Sequence, residues 1–416
     1  MSHEVIILAL TAFCGIFLSW GVGANDFSNI LSPAIGSRAV NVRQIVVIAL
    51  IFELLGALLG GDKIAATVQN GIINTDLLVN TPQILVYGML AALLASSVWI
   101  ATASHFGIPV SLTNAIIGSI VGFGMLVLGW HAIHWRSIGN IGLSWIICPC
   151  AASVVAYLIF NITQKIILST VAPLDKAKKY LPFYLFIVGF ILSEITVIKA
   201  LKHFSIQLHP VENILIATAC GIAIVISGNI LLKKIYNQPY VNYKEQFVLV
   251  EKAFAFLMIF TSCAMVYAHG ANDIATATGP VITILHYVLS DSVDHNNNLL
   301  LVILTCGYVG VAIGFLTFGR KVIETVGSAI TELTPIRAFC ATFAAATTVV
   351  TSTSLGLPVS ATQTLVGAIL GVGLARGIGA IDLRIVRNIF MSWFITIPIT
   401  GVLTAIFFYG FKGMFS

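Results

Sequence analysis

Charge is what this sequence lacks. Only 9% of its 416 residues are Asp, Glu, Lys or Arg, against roughly 25% in a soluble domain. A chain of this length needs far more charge to cover a surface in water. The deficit excludes a soluble enzyme, a nucleic-acid binder and a disordered chain. The cysteines (Cys14, Cys148, Cys150, Cys220, Cys263, Cys306 and Cys340) show no metal-ligand spacing. The Cys148-Pro149-Cys150 pair is too tight for CxxC chemistry. All seven lie in apolar stretches and read as small buried hydrophobes, not a disulfide scaffold. The N-terminus carries Glu4 but neither a basic n-region nor an A-x-A cleavage site, so it reads as a retained first helix. No GxxxxGK[ST] loop is present, so this chain does not drive its work by hydrolysing ATP. No nucleophile–base or metal-ligand pair is identifiable, which disfavours an intramembrane enzyme.

What is abundant is apolar surface: 58% of residues, at a mean hydropathy of +1.00. That is the composition of a polytopic membrane protein whose partner is the lipid bilayer. At about 20 apolar residues per crossing, the length allows roughly 10 to 12 helices. Apolar runs fall at 5–36, 43–61, 84–103, 107–130, 141–168, 181–201, 211–234, 251–288, 299–319, 335–355, 358–376 and 388–410. The first and eighth are interrupted. Twelve crossings put both termini on one side. The loop 233–252 carries Lys233, Lys234, Lys244 and Lys252, whereas 289–298 has no Lys or Arg. Basic loops face the cytoplasm. Propagating that choice puts 16 basic residues inside and five outside, namely Lys63, Arg136, Lys199, Lys202 and Lys412. Both termini are then expected outside the cytoplasm, in the cell (inner, cytoplasmic) membrane.

The chain also repeats itself. Gly23-Ala24-Asn25-Asp26 recurs as Gly270-Ala271-Asn272-Asp273, an offset of 247. The segment GIPVSLT at 107–113 recurs as GLPVSAT at 356–362, an offset of 249, and Gly118, Gly122 and Gly124 recur as Gly367, Gly371 and Gly373. The expected organisation is a first repeat over 1–165, connecting transmembrane segments over 166–244, and a second repeat over 245–416. By the charge topology the two GAND-bearing helices enter from opposite sides, so the repeats are inverted. The fold class is therefore all-α, about 12 transmembrane helices, with inverted-topology repeats and interrupted or re-entrant helices. Secondary transporters share that architecture, with their sites near the midplane.

Asn25-Asp26 and Asn272-Asp273 lie mid-span, flanked by glycines. A carboxylate at the bilayer centre costs at least ~2.5 kcal/mol. Glycine lets a helix break and frees carbonyls, which with the Asn and Asp oxygens suit a small cation. The same pair would also cap a broken helix end. In GIPVSLTN (107–114) and GLPVSATQ (356–363), Gly and Pro stop one helix and start another. Ser111, Thr113, Ser360 and Thr362 follow, offering hydroxyls beside the free amides of a helix N-terminus. Two such ends facing each other suit a tetrahedral oxyanion. The alternative use for these small residues is helix packing.

Glu53, alone in an apolar span, reads as functional. Glu332 reads either as functional or as the interfacial partner of Arg337. Glu194 reads as a structural partner of Lys199. His269 adjoins the second GAND and reads either as packing or as an accessory position, whereas His105 reads as packing. An anion entering a negative cell interior opposes ~2.3 kcal/mol per charge per 100 mV. Coupling cations cancel that charge, so anion and cation sites belong together and should bind cooperatively.

With these motifs on view, the sequence resembles the inorganic phosphate transporter (PiT) family. The resemblance rests on GANDFSNILSPAIGS (23–37), GIPVSLTNAIIGS (107–119), HGANDIATATGP (269–280), ITELTP (330–335) and GLPVSATQTLVGA (356–368). It implies import of inorganic phosphate by symport with a monovalent cation, sodium or proton, by alternating access. It implies phosphate contacts at Asp26, Ser111, Thr113, Asn114, Asp273, Ser360, Thr362 and Gln363. It implies coupling-cation contacts at Asn25, Asp26, Glu53, Asn272 and Asp273, with His269 and Glu332 accessory. No cofactor is implied beyond the coupling ion, and a second copy of the chain is an admissible partner. Asn114 and Gln363 stand where the family often has histidine, and Thr342 where some members have a second glutamate. Neither Asn nor Gln takes a proton near neutral pH, which tilts the reading toward sodium. A sulfate or other oxyanion symporter on the same scaffold is the nearest rival, and a passive anion channel the next.

Overall fold

In hydrocarbon a backbone must satisfy its own hydrogen bonds, so long uncharged runs have little choice but to become helices. The structure, a computed structural model, describes residues 3–203, 209–237, 242–289 and 297–415, with side chains at all of these except 62, 195, 198–200, 202–203, 297–306, 328 and 329. Most of the 289–298 loop, residues 238–241 and the Lys199, Lys202 and Cys306 side chains lie outside the described residues.

In chain order the helices are α1 (His3–Gly36), α2 (Val42–Gly60), α3 (Asp62–Asn70), α4 (Pro82–His105), α5 (Leu112–Val127), α6 (Trp135–Leu168) and α7 (Pro173–His203). Then come α8 (Pro210–Tyr236), α9 (Tyr243–Leu289), α10 (Asn297–Glu324), α11 (Pro335–Ser354), α12 (Ala361–Arg376) and α13 (Leu383–Phe415). Each apolar run of the sequence coincides with a helix. Among the described residues seven of them, α1, α2, α4, α6, α8, α9 and α13, are long and apolar enough to cross a membrane. They turn apolar side chains outward, as at Ile146 and Val154 on α6, Ile214 and Ile226 on α8, and Phe394 and Val402 on α13. The short α3 was not expected.

The 16-residue α5 and α12 are only about 24 Å long at ~1.5 Å per residue, short of a ~30 Å core. Each is the second arm of a hairpin, α4–α5 or α11–α12. Gly107 (φ +67°) and Gly356 (φ +75°) stop the first arms in the left-handed conformation that favours glycine. Pro109 and Pro358 were expected in the first helical turn. They instead precede the N-caps, which are Ser111 and Ser360. The repeated glycines of the second arms permit close packing. A Cβ on Gly118 would lie 2.9 Å from Ile397 O of α13, and one on Gly367 2.4 Å from Pro149 O of α6.

The chain was expected to break at the two GAND motifs, and it does not. Gly23–Phe27 and Gly270–Ile274 each form one π-turn inside a continuous helix. A π-turn inserts one residue and loosens the local hydrogen-bond ladder without unwinding it. The glycines there serve close approach. A Cβ on Gly23 would lie 1.9 Å from Val311 O of α10, and one on Gly270 2.0 Å from Glu53 O of α2. So α1 crosses α10 backbone to backbone, and α9 crosses α2 in the same manner.

Candidate functional site

The two π-turns carry Asn25-Asp26 and Asn272-Asp273 into the interior, where all four side chains are buried. Each asparagine grips the hairpin of its own repeat. Asn25 donates to Ile108 O (3.0 Å) and Ser104 Oγ (3.2 Å) and accepts from the Val110 amide (3.0 Å). Asn272 donates to Val359 O and accepts from the Val359 amide (3.1 Å). A side-chain amide can do both jobs because it holds donor and acceptor in one plane.

Each aspartate reaches the hairpin of the other repeat. Thr362 Oγ1 donates to Asp26 Oδ1 at 2.7 Å, and Thr113 Oγ1 donates to Asp273 Oδ1 at 3.1 Å. Thr113 also lies 2.9 Å from Val359 O, so the tips of the two hairpins meet. The N-termini of α5 and α12 therefore converge at the carboxylates, and their positive dipole ends favour negative charge there.

The serines have a local task. Ser111 Oγ accepts from the Asn114 amide (3.2 Å) and donates to Asn114 Oδ1 (3.0 Å), and Ser360 Oγ accepts from the Gln363 amide (3.1 Å). They cap α5 and α12. The sequence reading treated all four hydroxyls as open donors for an anion. Here the threonines are spent on the aspartates and the serines on helix ends. Gln363 Oε1 is buried without a partner.

The two halves are not chemically equal. His269 Nδ1 lies 2.8 Å from Glu53 Oε1, and its Nε2 lies 3.0 Å from Asp273 Oδ2, off the angle of a good hydrogen bond. Glu53 and Asp273 are thus bridged by one imidazole. At the repeat offsets, the counterpart of His269 is Val22 in the first half and that of Glu53 is Val311 in the second, and both abut the Gly23 crossing. Asp26 has no bridging ring. Its Oδ2 is buried without a hydrogen-bond partner, although the Leu112 amide lies near enough to act on the carboxyl electrostatically. Glu53 Oε2 is likewise unpartnered, and the residue lines a cavity of about 10 Å³ with Tyr308 and Val311. Among the described residues Asp26, Glu53, His269 and Asp273 are the only fully buried Asp, Glu, His, Lys or Arg side chains.

So the structure brings Asn25, Asp26, Glu53, Ser111, Thr113, Asn114, His269, Asn272, Asp273, Ser360, Thr362 and Gln363 into one buried region. Glu332 is not there. It is exposed and pairs with Arg337 (3.5 Å) and Arg376 (3.6 Å), which is the interfacial role weighed for it. Sequence reasoning passed over Ser104 and the Val110 and Val359 backbones. A polar residue one turn before the repeated Gly-X-Pro was the available signal for Ser104.

The Phosphate transporter family model matches residues 22–404. A protein named as a phosphate permease in Haemophilus influenzae is 43% identical, covering 98% of this chain and 97% of the relative. One so named in Pyrococcus furiosus is 37% identical, covering 97% and 95%. A solved structure described as the sodium-dependent phosphate transporter superposes with a TM-score of 0.87 at 32% identity, covering 98% of this chain and 99% of that one.

Proposed function

This chain belongs to the phosphate transporter family, and from that premise we propose that it imports inorganic phosphate by symport with sodium through a site at the meeting point of two inverted repeats. It is an integral membrane transport protein and not an enzyme. The proposed repeats are 1–165 and 245–416, joined by 166–244, with both termini on the extracytoplasmic side of the cell membrane.

The observation that carries the reading is the crossed pairing of Asp26 with Thr362 and Asp273 with Thr113. Each carboxylate takes its hydroxyl from the other repeat, so the site exists only where the halves meet. A carrier that exposes one site alternately to two sides needs such a seam. The charge balance supports coupling. Three buried acids and one imidazole surround the converging helix ends, with no fully buried Lys or Arg among the described residues. An anion cannot enter such a site unless cations neutralise the acids first. Sodium suits the Asn, Asp and helix oxygens at the π-turns, and the structural relative is described as sodium-dependent.

Phosphate is favoured over sulfate by Asp26 Oδ2. Phosphate keeps a proton near neutral pH and can donate it to an unpartnered carboxylate oxygen, whereas sulfate has none to donate. The test is labelled-phosphate uptake into proteoliposomes under separately imposed sodium and proton gradients, with sulfate as competitor. Concentrative uptake should follow the sodium gradient and resist sulfate. Uptake indifferent to both gradients would refute symport, and equal competition by sulfate would refute the phosphate preference.

A further inference from the structure

Outside the buried site, a second matched pair of contacts holds the hairpin tips. Lys63 Nζ on α3 donates to Ser354 O, the last residue of α11, at 3.1 Å. One turn on, Thr67 Oγ1 donates to Gly356 O at 3.0 Å. At the other hairpin, Lys321 Nζ on α10 donates to His105 O, the last residue of α4, at 2.8 Å. Thr325 Oγ1, just past the end of α10, donates to Gly107 O at 2.8 Å. The donors and the acceptors both correspond between halves. Gly56, Leu58, Gly61, Lys63, Thr67 and Val68 recur as Gly314, Leu316, Gly319, Lys321, Thr325 and Val326, at a constant offset of 258. Ser354 and Gly356 correspond to His105 and Gly107 at the 249 offset of the hairpin motif.

The chemistry suits a releasable contact. A helix C-terminus leaves carbonyls unpaired and carries partial negative charge, which an ammonium satisfies. Lys63 and Lys321 are both exposed, so water can replace either partner when the contact opens. Only three to five residues beyond each latched carbonyl, the same strand of backbone meets Asn25 or Asn272 and then presents Thr113 or Thr362 to the opposite aspartate. A tip cannot swing away from its lysine and threonine without taking those groups with it. In the charge-derived topology Lys63 is outside and Lys321 inside, so each latch guards one face.

We infer that Lys63 with Thr67, and Lys321 with Thr325, are positioning residues that act through the two hairpin tips, each pair holding the transport site shut toward its own side of the membrane. With both pairs engaged the site is occluded. Breaking the Lys63 pair frees the α11–α12 tip and opens the site outward. Breaking the Lys321 pair frees the α4–α5 tip and opens it inward.

The test reads conformation separately from transport. Val359→Cys and Val110→Cys are introduced singly into the full-length protein, with the native cysteines replaced, in oriented membrane vesicles. Both positions are fully buried at the tips, so a membrane-impermeant maleimide reports opening. Lys63→Met should raise labelling of Val359→Cys from outside and lower labelling of Val110→Cys from inside. Lys321→Met should do the reverse. The change expected for one partly exposed hydrogen bond is about 2- to 10-fold in rate. Thr67→Val and Thr325→Val should shift labelling in the same respective senses by less, which keeps the inference testable if a methionine variant fails to fold. Lysine-to-arginine variants should restore the starting rates. Equal shifts in one direction from both lysine variants, or no shift from all four, would overturn it. The inference rests on the transport reading for what crosses and on the charge-derived topology for which side each pair faces. Opposed labelling shifts in a protein that takes up no phosphate would leave the latches standing and defeat the phosphate reading instead.

Discussion

Thr362→Val exchanges one hydroxyl for a methyl group. Valine fills nearly the same volume, so the packing of α12 against α6 stays. What disappears is the 2.7 Å donation to Asp26 Oδ1. Asp26 Oδ2 has no partner, so no second side-chain donor takes over. A hydrogen bond to a charged group contributes about 1.5–3 kcal/mol. At about 1.4 kcal/mol per decade, an affinity that depends on Asp26 should weaken roughly 10- to 150-fold. Thr113→Val is the matched control from the other half. Its loss should be smaller for two structural reasons. Thr113 divides its single proton between Asp273 Oδ1 and Val359 O, and Asp273 keeps Asn272 and His269. A shared bond of about 0.5–1.5 kcal/mol corresponds to roughly 2- to 12-fold. The assay is the initial rate of phosphate uptake in proteoliposomes as external sodium is varied, giving the half-saturating sodium concentration for each variant. Thr362→Ser keeps a hydroxyl and should recover most of the loss. If Thr113→Val weakens sodium dependence as much as Thr362→Val, the division of labour between the aspartates is wrong.

Two further outcomes follow from the packing. His269→Ala leaves Glu53 and Asp273 without the ring between them and should destabilise the protein by about 3–5 kcal/mol. Adding Glu53→Gln should restore part of that, with a coupling above about 1 kcal/mol in a double-mutant cycle on thermal unfolding in detergent, and additivity within about 0.5 kcal/mol would contradict the bridge. Gly23→Ala and Gly270→Ala should each abolish the monodisperse folded species on size-exclusion chromatography, because their Cβ atoms would lie 1.9 Å and 2.0 Å from backbone oxygens. Gly410→Ala in α13, where a Cβ meets nothing within 4 Å, should behave as the parent, and tolerance of all three would mean that the crossings are looser than described.

The apolar runs located the helices well, because in a membrane a run of apolar residues admits few other structures. The repeat was legible because asparagine and aspartate are rare in such runs, so a recurrence of Asn-Asp stands out. Other features needed three dimensions. Glu53 and His269 each stood out as polar residues in apolar spans, but 216 positions separate them, and nothing local says that they touch. The π-turns looked like breaks because Gly-Ala-Asn-Asp is a poor helix former, and propensity was overridden by the close packing of α10 and α2 against those glycines. The Ser111 and Ser360 hydroxyls looked free because a sequence does not reveal which donor a cap has already taken. The Lys63 block was hidden for a simpler reason. Its offset of 258 differs from the other two, by 11 residues from the GAND register and by 9 from the hairpin register.

The π-turns store slack. A helix holding five residues in one wide turn contains more chain than its path requires. Converting such a turn to α geometry would turn everything beyond it by about 100° and push it along by about 1.5 Å. In α1 and α9 that rotation would sweep the asparagine away from the hairpin it grips. Rewinding the helix would therefore also let go of the hairpin.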